Sequence, residues 1–169
     1  MSISLKSAEG RDLDEVLAHV RAYHQYENVR LSDEQRVSAI RQLLGPSQLG
    51  QIYLVHHSTT VVGYIAVCFG FSIEFEGRDA FIDEMYIALT YRNKGYGREA
   101  LDTLKLVMRS MDVKALHLEV DRGNEKAQRL YSAVGFESRE KYFLMSSVLT
   151  DPEAQQGAQE GPPPSSVAP

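Results

Sequence analysis

Apolar residues along the first 150 positions recur with two different periods, and the switches between them divide the chain into elements. Ile3 and Leu5 alternate with polar neighbours as a short strand does, and Glu9-Gly10 interrupts that pattern. From Leu13 the period lengthens, and Leu13, Val16, Leu17, Val20 and His24 fall on one face of a helix. Ser32 with Gln35 three residues later is a capping box; Val37, Ile40 and Leu44 then form the stripe of a second helix that Gly45-Pro46 closes. Two β-branched and aromatic runs, 51–57 and 61–72, separated by Ser58-Thr59-Thr60, predict an antiparallel hairpin, with Gly63 marking a twist or bulge.

After a polar break from Glu74 to Asp79, the run 81–87 is apolar on both alternating faces except for Asp83 and Glu84, the pattern of a central strand covered on both sides. A glycine-rich turn leads into a helix whose apolar face holds Ala100, Leu101, Leu104, Val107, Met108 and Met111. Leu116, Leu118 and Val120 read as a further strand. Ala127, Leu130, Tyr131 and Val134 read as a last helix stopped by Gly135, and 137–149 as a final strand. The order β-α-α-β-β-β-α-β-α-β predicts a mixed sheet with helices on both faces, without internal repeat.

Composition changes this picture at one end. Residues 151–169 hold five of the six prolines and Asp151, Glu153 and Glu160 without a Lys or Arg, so positions 1–150 read as a single domain and the remainder as a disordered tail. Without the tail, 20 acids face 18 bases and the net charge is −2 rather than −5. Neither part has the basic excess that binding a phosphate backbone demands, which argues against nucleic acid as a partner. No window reaches the roughly 18 to 20 apolar residues of a membrane-spanning helix, and the alternating N-terminus does not read as a signal peptide. A single cysteine, Cys68, excludes an internal disulfide, and no Cys or His cluster has metal-site spacing. A cytoplasmic, metal-free protein is expected.

Three features could carry chemistry. In Arg92-Asn93-Lys94-Gly95-Tyr96-Gly97, glycines allow close approach of a ligand to the backbone just where unpaired amides and the positive end of a helix dipole favour phosphate. The spacing is not that of a P-loop, so a diphosphate-bearing cofactor fits better than a hydrolysed triphosphate. Gly95, Gly97 and Ala100, with Glu119 further on, also match a dinucleotide fingerprint, though too little ordered chain remains for that fold; a sharp turn alone is a third reading. The second feature is Asp83-Glu84. Side-chain alternation points the two carboxylates to opposite faces, and one in a partly apolar wall has the raised pKa a general base needs, while a structural ion pair is the competing role. The third is Asn124 to Phe136, where Asn124 and Tyr131 lie two helical turns apart on nearly the same side, with Tyr131 also suited to a core stripe.

Together, in this order, the three features resemble the GNAT superfamily of acyl-CoA-dependent N-acetyltransferases over about residues 3–145. Arg92, Gly95 and Gly97 fit its acetyl-CoA motif, and Asn124, Ala127, Leu130-Tyr131 and Gly135-Phe136 fit its later pattern. The resemblance implies a mixed, mostly antiparallel central sheet flanked by helices on both faces, and acetyl-CoA as co-substrate. It implies that the amides of Arg92, Asn93, Lys94, Gly95, Tyr96, Gly97 and Arg98 hold the pyrophosphate. It also implies that the backbone of Met85, Tyr86 and Ile87 pairs with pantetheine and stabilises the oxyanion, with Asn124 and Ala127 along the cofactor arm. Glu84 or Asp83 is then the base that deprotonates an amine, and Tyr131 protonates the departing thiolate. The acceptor site falls on Tyr23, His24, Tyr26, Glu27, Glu74 and Glu76, whose rings and carboxylates suit a small cationic amine; a protein lysine or N-terminal amine is the alternative. A non-catalytic acyl-CoA sensor or interaction module is the reading from another class. A homodimer paired through the last strand is left open.

Overall fold

A computed structural model describes residues 2–149; the expected disordered tail lies outside the described residues. Five strands, β1 (Ile3–Ser7), β2 (Gly50–His57), β3 (Thr60–Ser72), β4 (Gly77–Ile87) and β5 (Ala115–Leu118), form one sheet in sequential order. The first three pairings are antiparallel and β4 with β5 is parallel. The parallel pair is possible because α3 (Tyr96–Ser110) crosses between its strands; α1 (Leu13–Glu27), α2 (Asp33–Leu43) and α4 (Glu125–Ala133) complete the fold.

Two cores sandwich the sheet. On one face Val55, Ile65, Val67, Ile82, Met85 and Ile87 pack against Leu101, Leu104 and Met108 of α3 and Ala127 and Tyr131 of α4. On the other, Ile52, Leu54, Tyr64, Ala66 and Tyr86 meet Val16, Leu17, Val20 and Tyr23 of α1 and Ile40 of α2. Each fully buried aliphatic side chain contributes about 1.5 to 3 kcal/mol, so both helical layers are held by burial rather than by surface charge.

The local sequence signals are met where they are local. Ser32 and Gln35 form both bonds of the capping box, Gln35 N donating to Ser32 Oγ at 3.3 Å and Ser32 N to Gln35 Oε1 at 2.7 Å. Gly135 has φ +88°, the left-handed value that stops α4. The β2–β3 hairpin carries a register shift beside Gly63, where a Cβ would sit 2.0 Å from the Tyr86 carbonyl oxygen. The polar break before β4 is shorter than the pattern suggests, because Gly77, Arg78 and Asp79 already pair with β3.

One expected element is not a strand. Residues 137–149 form no ladder, although Tyr142, Phe143, Leu144 and Met145 are exposed apolar side chains. Side chains alone tie the segment beside the sheet: Arg139 Nη2 donates to Glu74 Oε1 at 3.0 Å, and the Arg122 guanidinium lies 5.4 Å from the Phe143 ring centre. Strand propensity makes a strand only where a partner ladder is available.

Candidate active site

The ladder between β4 and β5 ends at Ile82 and Leu118, while β4 continues to Ile87. From Asp83 onward that side of β4 has no strand beside it among the described residues, and a cleft opens where β5 ends. At the same point β4 carries one residue too many. Ala66 of β3 faces Glu84 and Val67 faces Ile82, so Asp83 is the extra residue of a β-bulge. The bulge changes the phase of the strand: Ala80 and Ile82 before it, and Met85 and Ile87 after it, all enter the α3–α4 core. Asp83 and Glu84, between these pairs, are therefore both off that face. This corrects the expectation that alternation separates the two carboxylates.

Glu84 is firmly held. His24 Nε2 lies 2.7 Å from its Oε1, and the Tyr64 hydroxyl donates to Oε2 at 2.6 Å. Burial first, and then the Glu84 charge, push the Tyr64 phenol well above its ordinary pKa, so it remains a donor. Asp83 is exposed at the mouth of the cleft, yet enough protein surrounds it that desolvation is the main cause raising its pKa. The Glu84 charge adds to that rise and His24 opposes it. Beyond the end of β5, Glu119 is raised in the same way, by burial and then by the Asp83 charge. Burial, and then Asp83 and Glu84, raise the Cys68 thiol, so it stays protonated.

Next along the chain is the start of α3. Asn93 and Gly95 adopt left-handed backbone, φ +62° and +82°, and turn the chain into the helix. Glu99 N is bonded to Gly95 O at 3.1 Å, which leaves the amides of Tyr96, Gly97 and Arg98 without a helical carbonyl, and no side chain caps them. They face a cleft of about 130 Å³ lined by Ile87, Tyr91, Arg92, Asn93, Lys126 and Leu130, among others. Lys94, Arg98 and Lys126 bring positive charge to this end; Lys126 Nζ donates to Asn93 Oδ1.

Arg92 does not point into the loop that it begins. Its Nε donates to the Ile87 carbonyl oxygen at 2.8 Å, its guanidinium lies 4.6 Å from the Tyr26 ring centre and 5.4 Å from that of Tyr86, and its Nη2 is buried without a partner. The structure thus joins the loop to the exposed end of β4. Orphan amides, an unpartnered guanidinium nitrogen and an unpaired strand edge, all in one groove, fit a phosphate-bearing arm that carries amide groups.

The acetyltransferase (GNAT) family model matches residues 13–136. The chain belongs to that family. Its members use acetyl-CoA. Over 76 residues the chain is 36% identical to the uncharacterized N-acetyltransferase YycN of Bacillus subtilis, a match spanning 45% of this chain and 47% of that protein, so it reaches about half the length of that relative. Over 146 residues it is 25% identical to a thialysine N-epsilon-acetyltransferase of Bos taurus, covering 79% of this chain and 83% of the other. Among solved structures, an integron cassette protein from the mobile metagenome of Cole Harbour Salt Marsh superposes with a TM-score of 0.76 at 30% identity, covering 88% of this chain and 91% of that one.

Within this GNAT domain the remaining expected residues separate. Tyr131 is buried in α4, stacked edge-on with Phe136 at 5.9 Å; burial, then Tyr23 and Glu27, push its phenol strongly upward. Tyr23 is buried, 6.3 Å from the Tyr64 ring and 6.2 Å from that of Tyr86, and forms the floor under the carboxylates. Asn124 Oδ1 accepts from Ala127 N at 3.0 Å, capping α4, and Ala127 is buried in the core. Glu74 is not brought here: it sits beyond Gly77, at the far end of β4, roughly 20 Å along the strand from the carboxylates, paired with Arg139. Glu76 lies in the same distant turn.

The sequence reading did not single out Tyr64, which bonds Glu84, or Lys126, which lines the cleft, and met Glu119 only through the dinucleotide pattern. Their positions depend on strand register and helix docking, not on local spacing. His24 was visible on its helix face, but its partner lies 60 residues away.

Among the described residues, no helix is long and apolar enough to cross a membrane.

Proposed function

We propose that this chain transfers the acetyl group of acetyl-CoA to a primary amine on a small cationic molecule, in a single ternary complex. The observation that carries the reading is the pair Asp83 and Glu84 on one side of β4, where the strand leaves β5, followed along the chain by the orphan amides that open α3. A third carboxylate, Glu119, feels the Asp83 charge, so three acids give this end of β4 the character of a cation site. The thialysine specificity of the bovine relative supports a small amine over a protein chain.

When bound, acetyl-CoA supplies the thioester carbonyl that the amine attacks. The amides of Tyr96, Gly97 and Arg98 hold its phosphates, joined by Lys94 and Lys126. The open edge at Met85 and Ile87 receives the pantetheine arm and donates an N–H to the carbonyl oxygen as negative charge develops there. A lysine-like amine has a pKa of about 10.4 and arrives protonated. Glu84, with a donor on each oxygen, fixes that ammonium, and the Asp83 carboxylate takes its proton. The N–C bond forms, the C–S bond breaks, the Tyr131 hydroxyl gives its proton to the sulfur, and the second proton of the attacking nitrogen, shed as the amide forms, restores the phenol. Burial pushes the Tyr131 phenol upward and disfavours a free phenolate, so its proton is given only as the nitrogen's proton replaces it.

Release of free thiol from acetyl-CoA with 1,4-diaminobutane, thialysine and a lysine-containing peptide tests the reading. Turnover with the small amines exceeding that with the peptide supports it; turnover with the peptide alone assigns a protein acetyltransferase. Binding of acetyl-CoA without thiol release from any amine points to a sensor module.

A further inference from the structure

His24 is the one buried polar side chain among the described core residues, 5% exposed, and both of its ring nitrogens are engaged. Arg36 Nε, on α2, donates to Nδ1 at 3.1 Å. A guanidinium only donates, so Nδ1 must present a bare lone pair and the ring proton must sit on Nε2, the nitrogen 2.7 Å from Glu84 Oε1. Arg36 is itself anchored: its Nη1 donates to Asp33 Oδ1 at 3.1 Å, and Arg21 of α1 grips the same carboxylate at 2.9 and 2.6 Å. The chain Asp33, Arg36, His24, Glu84, Tyr64 thus runs from the first turn of α2, through α1, to the centre of the sheet.

We propose that His24 and Arg36 are positioning residues for acetyl transfer: Arg36 fixes the Nε2–H tautomer of His24, and that N–H holds the Glu84 carboxylate aimed at the acceptor amine. The proposal rests on the cation-site reading above and adds the two helices that tune it. Glu84 faces His24 from α1, Tyr64 and Cys68 from β3 and Asp83 on its own strand, with Glu119 beyond Asp83; His24 faces Arg36 from α2. Of these groups only His24 and Tyr64 donate a hydrogen bond to the carboxylate, one to each oxygen. Two donors, one on each oxygen, fix the orientation of a carboxylate, and loss of one lets the side chain rotate.

Two measurements on the full chain test this. At neutral pH the imidazole nitrogen resonances of His24 are expected to show the Nε2–H tautomer, and the Arg36→Met variant to lose that fixed tautomer. An Nδ1–H tautomer in the native chain, or an unchanged pattern in Arg36→Met, overturns the proposal whether or not any amine is turned over. With 1,4-diaminobutane, His24→Leu is expected to raise the amine KM about tenfold, leaving the acetyl-CoA KM within about twofold, and His24→Gln, whose amide can replace the Nε2–H donor, to recover most of the loss. Equal losses of kcat in both variants with no change in amine KM also overturn it. Absence of thiol release from every amine would sink the small-amine reading separately, and the tautomer would still decide the role of Arg36.

Discussion

Asp83 and Glu84 are sequence neighbours that leave the same face of the sheet, because β4 has one residue more than β3 between Ile82 and Glu84. Two carboxylates so placed do not titrate independently. Glu84 has a donor on each oxygen, while Asp83 is lifted by burial and by the Glu84 charge, and the roles divide accordingly. Asp83→Asn is expected to lower kcat/KM for the amine by about 10²- to 10⁴-fold. Glu84→Gln removes a like charge beside Asp83, so the acidic limb of the kcat/KM profile is expected to move to lower pH while the amine KM rises. If neither variant alters that limb, the carboxylates are not the proton acceptor.

The same shift affects stability. A carboxyl whose folded-state pKa is raised binds its proton more tightly in the native state, so its contribution to stability is present below the unfolded value and is lost as pH rises through the folded one. Asp83→Asn is therefore expected to melt at a higher temperature than the native chain near neutral pH, with the gain vanishing below about pH 4, the unfolded Asp value. Thermal melts across this range check it; a variant less stable at neutral pH contradicts it.

The two glycines at the start of α3 are not equivalent. Gly95 has open space around it but φ +82°, so alanine there is strained by about 1 to 2 kcal/mol and disturbs the turn that presents the amides. Gly97 is helical, and a Cβ would meet only Leu130 Cδ2 at 3.4 Å and Met85 Cε at 3.8 Å. Gly95→Ala is expected to lower both Tm and acetyl-CoA affinity. Gly97→Ala is expected to hold or raise Tm, by up to about 1 kcal/mol of helix propensity, and to keep its affinity. Melts and calorimetric titrations of the two variants separate them.

Tyr131→Phe retains the ring against Phe136 and removes the hydroxyl. If that hydroxyl protonates the thiolate, kcat is expected to fall about 10²-fold or more with acetyl-CoA affinity unchanged. Single-turnover kinetics with a fixed amine check this; equal kcat in the two proteins removes Tyr131 from the proton path.

Much of this was legible in the sequence because much of it is local. The Ser32–Gln35 capping box, the turn at Ser58, the glycine stop after α4 and the α3 loop depend on residues within four or five positions of one another. The bulge was not legible, since an extra residue on β4 is defined only against the register of β3. Nor was the Arg92 guanidinium contact legible, since it reaches the Ile87 carbonyl, an acceptor left available where the sheet parts. The last strand had the right apolar pattern in 137–149 but lacks a ladder to join. Asn124 was read as a cofactor contact, and its oxygen caps α4, a role that its place one residue before the helix allows equally.

The central claim, that the opening of α3 and the free end of β4 form one coenzyme groove, is tested most directly by calorimetric titration of the purified chain with acetyl-CoA. Heat from a single site per chain, displaced by coenzyme A, weakened in Gly95→Ala and absent with NAD, is the predicted result. No heat with acetyl-CoA, or equal heat with NAD, would contradict it.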